Sequence, residues 1–169
     1  MNIRLLNASD AKSYWDLRLE ALKQNPESFA TSYEEAITRS NPVEVVAENF
    51  NSGGNFTFGA FANGELIGVV TLLLEKQLKL RHRATIQALY VSPKMRGCGT
   101  GKSLLLQTIR HAESIDRIEK LNLAVVATNS HAKALYEQLG FKVFGFEERA
   151  LLIGDNYYDE EYMVLFLHK

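Results

Sequence analysis

The most informative residues of this chain form a glycine-rich run, RGCGTGK, at positions 96–102. The run follows an apolar, strand-like segment (84–91) and precedes a helix-like one (103–112). Glycine lets the backbone turn sharply and approach a ligand closely, because it has no Cβ. The first amides of a helix have no intrahelical partner, and the helix dipole places positive charge behind them. The run therefore predicts a site for an anion, most often a phosphate group.

Two common phosphate-binding motifs fit this run poorly. A P-loop phosphohydrolase, which would bind ATP, needs a glycine where Arg96 stands, although Gly101-Lys102-Ser103 would supply the end of the motif. The apolar segment 121–126 is also not followed by an aspartate that could hold magnesium. A dinucleotide-binding fingerprint would use the first two glycines, but it needs a third glycine where Lys102 stands.

The secondary structure that the sequence predicts around this run changes along the chain. Helical spacing dominates the first third, an Asn63-Gly64 pair then marks a tight hairpin turn, and strands and helices alternate afterwards. This order predicts one mixed α/β domain over residues 1–169. The expected strands are 3–6, 56–62, 65–74, 83–91, 121–126, 142–146 and 161–167, and the expected helices are 11–23, 33–39, 43–50, 103–114 and 132–139.

Composition excludes several classes of protein. Hydrophobic residues make up 46% of the 169 residues, which is too many for a disordered chain. The net charge of −1 gives no case for a nucleic-acid or membrane partner, and no apolar stretch is long enough to span a bilayer. With Cys98 as the single cysteine, no intrachain disulfide can form, so we expect a cytoplasmic protein. Basic residues concentrate between positions 76 and 102, where no acidic residue occurs, and this suits a phosphorylated ligand.

Two sequence blocks carry a family resemblance. Residues 90–101 contain Arg96, Gly99 and Gly101 in an Arg-x-x-Gly-x-Gly pattern, and residues 129–141 contain Asn129, Ala132, Leu135-Tyr136 and Leu139-Gly140-Phe141. Together they resemble the GNAT superfamily of N-acetyltransferases. The resemblance implies a central mixed, mostly antiparallel sheet of about seven strands flanked by helices, with one parallel pair of strands splayed apart. It is also compatible with a homodimer.

The resemblance further implies a cosubstrate, acetyl-CoA, and the residues that hold it. The pantetheine arm would enter the gap between the splayed strands and bond to strand backbone, and the pyrophosphate would lie on the loop amides. Asn129 would contact the arm or cap the following helix, and Tyr136 would protonate the departing thiolate unless it is only a core aromatic. The residues expected to bind acetyl-CoA are Leu89, Tyr90, Val91, Arg96, Gly97, Cys98, Gly99, Thr100, Gly101, Lys102, Ser103 and Asn129.

The general base is where this chain departs from the family pattern. Many relatives carry a glutamate on the strand before the glycine loop, but residues 85–88 here are Thr-Ile-Gln-Ala. The remaining candidates are Glu20, Glu34, Glu35, His82 or an ordered water, and no base is needed if the acceptor amine is already partly neutral. Cys98 has no histidine nearby in sequence to activate it, so an acyl-cysteine is not favoured. The four histidines show no ligand spacing, and no metal is expected.

The expected function is transfer of an acetyl group from acetyl-CoA to a primary amine of a small molecule or peptide by direct attack. An oxyanion would be stabilised by a strand amide near Leu89. The missing strand carboxylate leaves an alternative, an acyl-CoA-binding or regulatory module without turnover. Residues 26–50 and a loop at 145–158 are expected to frame the acceptor site.

Overall fold

The computed structural model describes residues 1–168, which form one seven-stranded sheet with helices on both faces. The strand order is β1-β2-β3-β4-β5-β7-β6, and every neighbouring pair is antiparallel except β4 and β5. This confirms the expected fold class. The strands are β1 Asn2–Leu5, β2 Asn55–Ala62, β3 Glu65–Leu74, β4 Arg83–Val91, β5 Lys120–Val126, β6 Lys142–Ile153 and β7 Asn156–Phe166. The helices are α1 Ala11–Gln24, α2 Tyr33–Ile37, α3 Pro42–Asn51, α4 Thr100–Glu113 and α5 Ser130–Gln138.

The central strand β3 separates two hydrophobic cores. Successive side chains of a strand point to opposite faces of the sheet. Val70 accordingly packs in the core that contains Leu104 and Leu105 of α4, while Val69 packs in the core that contains Leu17 of α1. A third cluster, which includes Trp15 of α1 and Val46 of α3, joins the N-terminal helices to each other. The N-terminal helices therefore cover one face, and α4 covers the other.

The parallel strands β4 and β5 pair over only three residues. Arg83, Ala84 and Thr85 face Lys120, Leu121 and Asn122, and beyond them the two strands separate. On its other side β4 is bulged against β3, because the pairing Thr71–Gln87 is followed by Val69–Tyr90. Ala88 lies within this bulge with φ of 55°, in the left-handed region that non-glycine residues rarely adopt. The bulge bends β4 away from β5 and opens the gap.

The last two strands correct one expectation. Residues 145–158 were expected to form a loop beside the acceptor site, and this was wrong. They belong to β6 and β7, which run as one long hairpin with a register shift between Glu147 and Leu151 and a turn at Gly154-Asp155. The two strands pair on both sides of that register shift, from Lys142 with Val164 to Ile153 with Asn156.

Helix α4 begins earlier in the sequence than expected. It starts at Thr100 rather than at position 103, so Gly101 and Lys102 belong to the helix and not to the preceding loop. None of the helices within residues 1–168 combines the length and apolarity that a membrane crossing needs. The cytoplasmic location and the homodimer stay predictions.

Candidate active site

The glycine loop delivers unpaired amides at the start of α4. Gly97 and Gly99 have φ of 76° and 77°, and these positive angles turn the chain from the end of β4 into the helix. Gly99 is the N-cap of α4 and has no side chain to bond the first amides. Within residues 1–168, Ser103 is the first α4 residue whose amide reaches a backbone acceptor, the Gly99 carbonyl at 3.0 Å. The amides of Thr100, Gly101 and Lys102 are therefore free to bind an anion.

The side chain of Arg96 holds the loop in place. Its Nε donates to the carbonyl of Val91 at 3.0 Å, and its Nη2 donates to Oδ1 of Asn25 at 2.8 Å. The guanidinium also lies 5.5 Å from the centre of the Tyr90 ring. Arg96 thus joins the loop to the end of β4 and to the segment after α1. These contacts give it a positioning role whether or not it also touches a ligand.

The gap between β4 and β5 forms a cavity of about 110 Å³, which we call the splay cavity. Its walls include Ala88 and Leu89 of β4, residues 124–126 of β5, and Asn129 and Tyr136 of the α5 region. Neither strand ladder gives Ala88 or Leu89 a backbone partner within the described chain. Because pairing with β5 ends at Thr85, the backbone groups of Ala88 and Leu89 that face the gap have no partner strand there. Binding of a ligand by the strand that ends Leu89-Tyr90-Val91 stays a prediction.

Tyr136 reaches the splay cavity from α5. The residue is 7% exposed, its ring packs edge-on against Phe141 at 5.9 Å, and burial raises its pKa to about 12. Its hydroxyl has no hydrogen-bond partner among residues 1–168. A phenol of raised pKa remains protonated throughout the neutral range, so Tyr136 can donate a proton into the cavity.

Asn129 caps the helix that carries Tyr136. Its Oδ1 accepts a hydrogen bond from the amide of Ala132 at 3.1 Å, which confirms the capping role expected from the sequence. Asn129 also lines the splay cavity. In addition to its capping role, a contact between Asn129 and the pantetheine arm stays a prediction. On the neighbouring strand, the Tyr90 side chain points away from this cavity towards α1, where its hydroxyl donates to Oε1 of Glu20 at 2.9 Å.

A larger cavity of about 420 Å³, the acceptor cavity, lies beneath the N-terminal helices. Residues between 26 and 50, which the sequence predicts to frame the acceptor site, supply much of its wall. That this cavity takes the acceptor stays a prediction. Residues 28, 29, 87 and 88 line both cavities, so the two spaces meet at the bulge of β4. A molecule held in the acceptor cavity can therefore approach one held in the splay cavity.

None of the side chains expected as general base lines either cavity. Glu20 is bonded to Tyr90, and Glu35 accepts from the Ser32 amide at 2.8 Å and is fully exposed. Glu34 is also exposed, and His82 lies just before β4, at the end remote from the bulge. The side chains proposed from sequence are thus not brought to the site.

A carboxylate that sequence reasoning missed does line the splay cavity. Glu160 of β7 lies opposite Val126 of β5 and opposite Glu147 of β6 in the sheet. Burial, and then the neighbouring charge of Glu147, raise its pKa above that of an ordinary glutamate. No sequence motif marks Glu160, because only the pairing of β7 with β5 brings it to the gap.

Cys98 and the histidines offer no further chemistry here. Cys98 is exposed in the glycine loop. Its thiol donates a weak hydrogen bond to the carbonyl of Arg96, with 3.7 Å between Sγ and the oxygen. Within residues 1–168, the His, Cys, Asp and Glu side chains form no group that could hold a metal ion.

Comparison with known proteins agrees with this geometry. A family model described as "Acetyltransferase (GNAT) family" matches residues 15–141. A GNAT-family acetyltransferase from Streptococcus pneumoniae superposes with a TM-score of 0.86, at 23% identity over 99% of both chains. A putative acetyltransferase from Salmonella typhimurium, solved with its cofactor acetyl-CoA, superposes with a TM-score of 0.83 at 18% identity, over 100% of this chain and 95% of that one. At these identities the likeness concerns the fold.

Curated relatives match over part of the chain. A spermidine N(1)-acetyltransferase from Vibrio cholerae is 27% identical over 108 residues, which are 64% of this chain and 61% of the relative. An L-amino acid N-acetyltransferase from Escherichia coli is 23% identical over 104 residues, which are 62% of this chain and 64% of the relative. The chain thus spans less than two thirds of the length of either relative.

Proposed function

The chain belongs to the GNAT family of acetyltransferases, and from this premise we propose that it transfers an acetyl group from acetyl-CoA to a primary amine by direct attack. One observation carries the proposal. The backbone of Ala88 and Leu89 and the side chain of Tyr136 line the splay cavity, and the free amides at the start of α4 lie beside α5, the helix that carries Tyr136. A Cβ built on Gly101 would lie 3.5 Å from Leu135, the residue before Tyr136, so the first turn of α4 adjoins α5 directly.

These residues fit acetyl-CoA as the cosubstrate. The amides of Thr100, Gly101 and Lys102 suit its pyrophosphate, with the side chains of Lys102 and Ser103 available beside them. Unpaired strand backbone suits the amide groups of its pantetheine arm, as a neighbouring strand would. Acetyl-CoA supplies an activated thioester, and the remaining chemistry is proton transfer and charge stabilisation by the protein.

In the reaction we propose, the acceptor nitrogen forms a bond to the acetyl carbonyl carbon and the bond from that carbon to sulfur breaks. Glu160 takes the proton that the amine loses, since its raised pKa makes it a stronger base than an ordinary carboxylate. The unpaired amides at the bulge, near Leu89, stabilise the negative charge that develops on the carbonyl oxygen. Tyr136 donates its proton to the departing sulfur and regains one from solvent.

Calorimetry with acetyl-CoA tests the binding part of this proposal, and release of free CoA thiol across a panel of amines tests turnover. The Gly99→Ala variant should bind acetyl-CoA roughly 5- to 30-fold more weakly, because an alanine at positive φ costs about 1–2 kcal/mol. Gly53→Ala is the matched control, since Gly53 lies in a remote loop where a Cβ would meet nothing within 4 Å.

Three outcomes would contradict parts of the proposal. No binding at millimolar acetyl-CoA would overturn it entirely. Tight binding without turnover of any amine would favour the acyl-CoA-binding module. Stabilisation by ATP that Gly99→Ala abolishes would favour a nucleotide site instead.

A further inference from the structure

The acceptor cavity has an unbalanced charge. Its lining contains two arginines, Arg18 of α1 and Arg39 just after α2, and no aspartate or glutamate. The other polar side chains of the lining, such as Thr31, Asn49 and Gln87, are neutral. A concave site with two cations and no anion attracts a negatively charged ligand and repels a polycation.

Arg18 has no counter-ion within the described chain. Its guanidinium lies 4.6 Å from the centre of the Phe29 ring, and no hydrogen bond or salt bridge engages it among residues 1–168. Burial lowers the pKa of Arg18, the nearby Tyr14 hydroxyl opposes that change, and the charge of Arg39 adds to it. A half-buried guanidinium that faces a second arginine is unfavourable unless an anion joins them.

The carboxylates closest in the sequence are engaged elsewhere. Asp16 of α1 pairs with Lys12 at 2.6 Å, and Glu20 accepts from the Tyr90 hydroxyl. Glu35 is exposed on α2, and the hydrogen bond that it accepts from the Ser32 amide is the main cause that lowers its pKa. The nearby charge of Arg39 lowers it further. No acidic side chain of α3 reaches the lining either. Arg39 is exposed to solvent and lies near Glu35, whereas no carboxylate of the described chain pairs with the half-buried Arg18. An anionic ligand in the cavity would supply the missing charge.

We propose that the acceptor is an amine that also carries a carboxylate, such as an amino acid, and that Arg18 and Arg39 bind the carboxylate. This inference rests on the proposed function and names the substrate class of the same site. Planar guanidinium groups match a carboxylate with paired, charge-assisted hydrogen bonds. Phe29 and Tyr14 supply apolar surface beside the arginines for the carbon skeleton of the acceptor.

The charges on the two cavities also orient such a molecule. Arg18 and Arg39 line the acceptor cavity, whereas Glu160 lines the splay cavity, and the cavities meet at Gln87 and Ala88. A zwitterion would direct its carboxylate to the arginines and its ammonium group to Glu160. That orientation brings the amine to the base that must deprotonate it.

The curated relatives differ on this point, because one is named for spermidine, a polycation, and the other for L-amino acids. The lining of the acceptor cavity favours the second chemistry for this chain. A polycation would meet both arginines without any carboxylate to pair with in that cavity.

Matched acceptors provide the test. The rate of CoA release is measured with L-leucine, L-phenylalanine and L-methionine, with the corresponding carboxamides, and with spermidine. Glycine, β-alanine and γ-aminobutyrate vary the distance between amine and carboxylate. We expect at least one carboxylate-bearing acceptor to exceed its carboxamide by roughly 10- to 100-fold in kcat/KM, the range for a charge-assisted contact.

Arginine variants test whether the preference for carboxylate acceptors arises in the acceptor cavity. Arg18→Gln and Arg39→Gln should each raise KM for the carboxylate acceptor by about 10-fold or more, with little change in kcat or in the KM of the carboxamide. Arg18→Lys should restore part of the loss. Arg110→Gln, an exposed arginine on α4, is the matched control. Thermal unfolding of each variant shows whether it is folded.

Binding of products separates this inference from the proposed function. With CoA present, calorimetry compares N-acetyl-L-leucine with N-acetyl-L-leucinamide. If acetyl-CoA binds and amines are acetylated, but carboxylates give no advantage in rate or affinity, the inference is overturned while the function stands. If spermidine is preferred and Arg18→Gln improves it, the inference is also overturned. If acetyl-CoA does not bind, the proposed function itself fails.

Discussion

At the scale of single residues, the proposed reaction uses two proton-transfer groups whose environments differ. Tyr136 is buried on α5 with a pKa of about 12, so it stays protonated and can act as an acid. Glu160 is partly buried on β7, and burial and then the charge of Glu147 raise its pKa above that of an ordinary glutamate. Both residues line the splay cavity, and the proposed reaction uses Tyr136 as the acid and Glu160 as the base.

Tyr136→Phe should lower kcat by about 100-fold or more while it leaves stability and acetyl-CoA affinity nearly unchanged. The hydroxyl has no partner to lose, and a phenyl ring keeps the edge-on contact with Phe141. Steady-state kinetics on the best acceptor, with calorimetry and thermal unfolding, measure the three quantities. An unchanged kcat would mean that another group or water protonates the thiolate.

Glu160→Gln should lower kcat/KM by about 100-fold near neutral pH, since the acceptor ammonium loses its base. The deficit should shrink as pH rises, because more of the acceptor is then already deprotonated in solution. A pH profile of both proteins measures this. A deficit that is constant with pH would indicate a structural role for Glu160.

Glu148→Gln serves as the control for that prediction. Glu148 is exposed on β6, so its removal changes the local charge without touching the cavity. Its pH profile should match that of the unmodified protein.

At the scale of elements, the bulge of β4 decides where the site lies. It separates β4 from β5 and leaves the backbone of Ala88 and Leu89 unpaired at the junction of the two cavities. Within the bulge Ala88 adopts a φ of 55°. This left-handed conformation costs a non-glycine residue about 1–2 kcal/mol. The paired residues of β3 and β4 on either side of the bulge must therefore stabilise this strained conformation.

Ala88→Val should destabilise the protein by about 1–2 kcal/mol and weaken acetyl-CoA binding, because a β-branched residue resists positive φ and favours a regular strand. Ala88→Gly is the matched control and should stay within about 1 kcal/mol of the parent, since glycine adopts this conformation freely. Urea unfolding and calorimetry measure both effects. If the valine variant keeps full stability and affinity, the bulge does not require the left-handed residue.

The same elements show which features the sequence could predict. The glycine run, the Asn63-Gly64 turn and the Asn129 cap are encoded within a few residues, so their local geometry follows from the residue types. The bulge at Ala88 has no such signal, since alanine gives no preference for positive φ. Glu160 reaches the cavity only because β7 pairs with β5 across a long stretch of chain. The length of the β6–β7 hairpin was missed because residues 147–153 form a polar run followed by an apolar run, without the alternation that predicts a strand.

At the scale of the whole molecule, packing on both faces of one sheet couples stability to the site. The core beneath α4 contains Leu104 and Leu105, which immediately follow the free amides of the glycine loop. His111, about two turns further along α4, lies against Phe56 and Phe58 at ring distances of 4.5 and 5.4 Å. Its Nε2 is buried without a hydrogen-bond partner among residues 1–168. Any change in the charge of this imidazole therefore acts on the packing of α4 against the sheet.

Stability should accordingly fall between pH 7.5 and 5.5, and His111 should account for part of the loss. Burial lowers the pKa of His111 in the folded protein below its ordinary value of 6.5, so the unfolded chain takes up the proton first. The contribution is complete above that ordinary value and is lost as pH falls through it towards the folded pKa. Urea unfolding at several pH values measures the slope. His111→Leu should make it shallower, whereas the exposed His131→Gln should leave it unchanged; equal slopes in the parent and His111→Leu would show that other groups cause the loss.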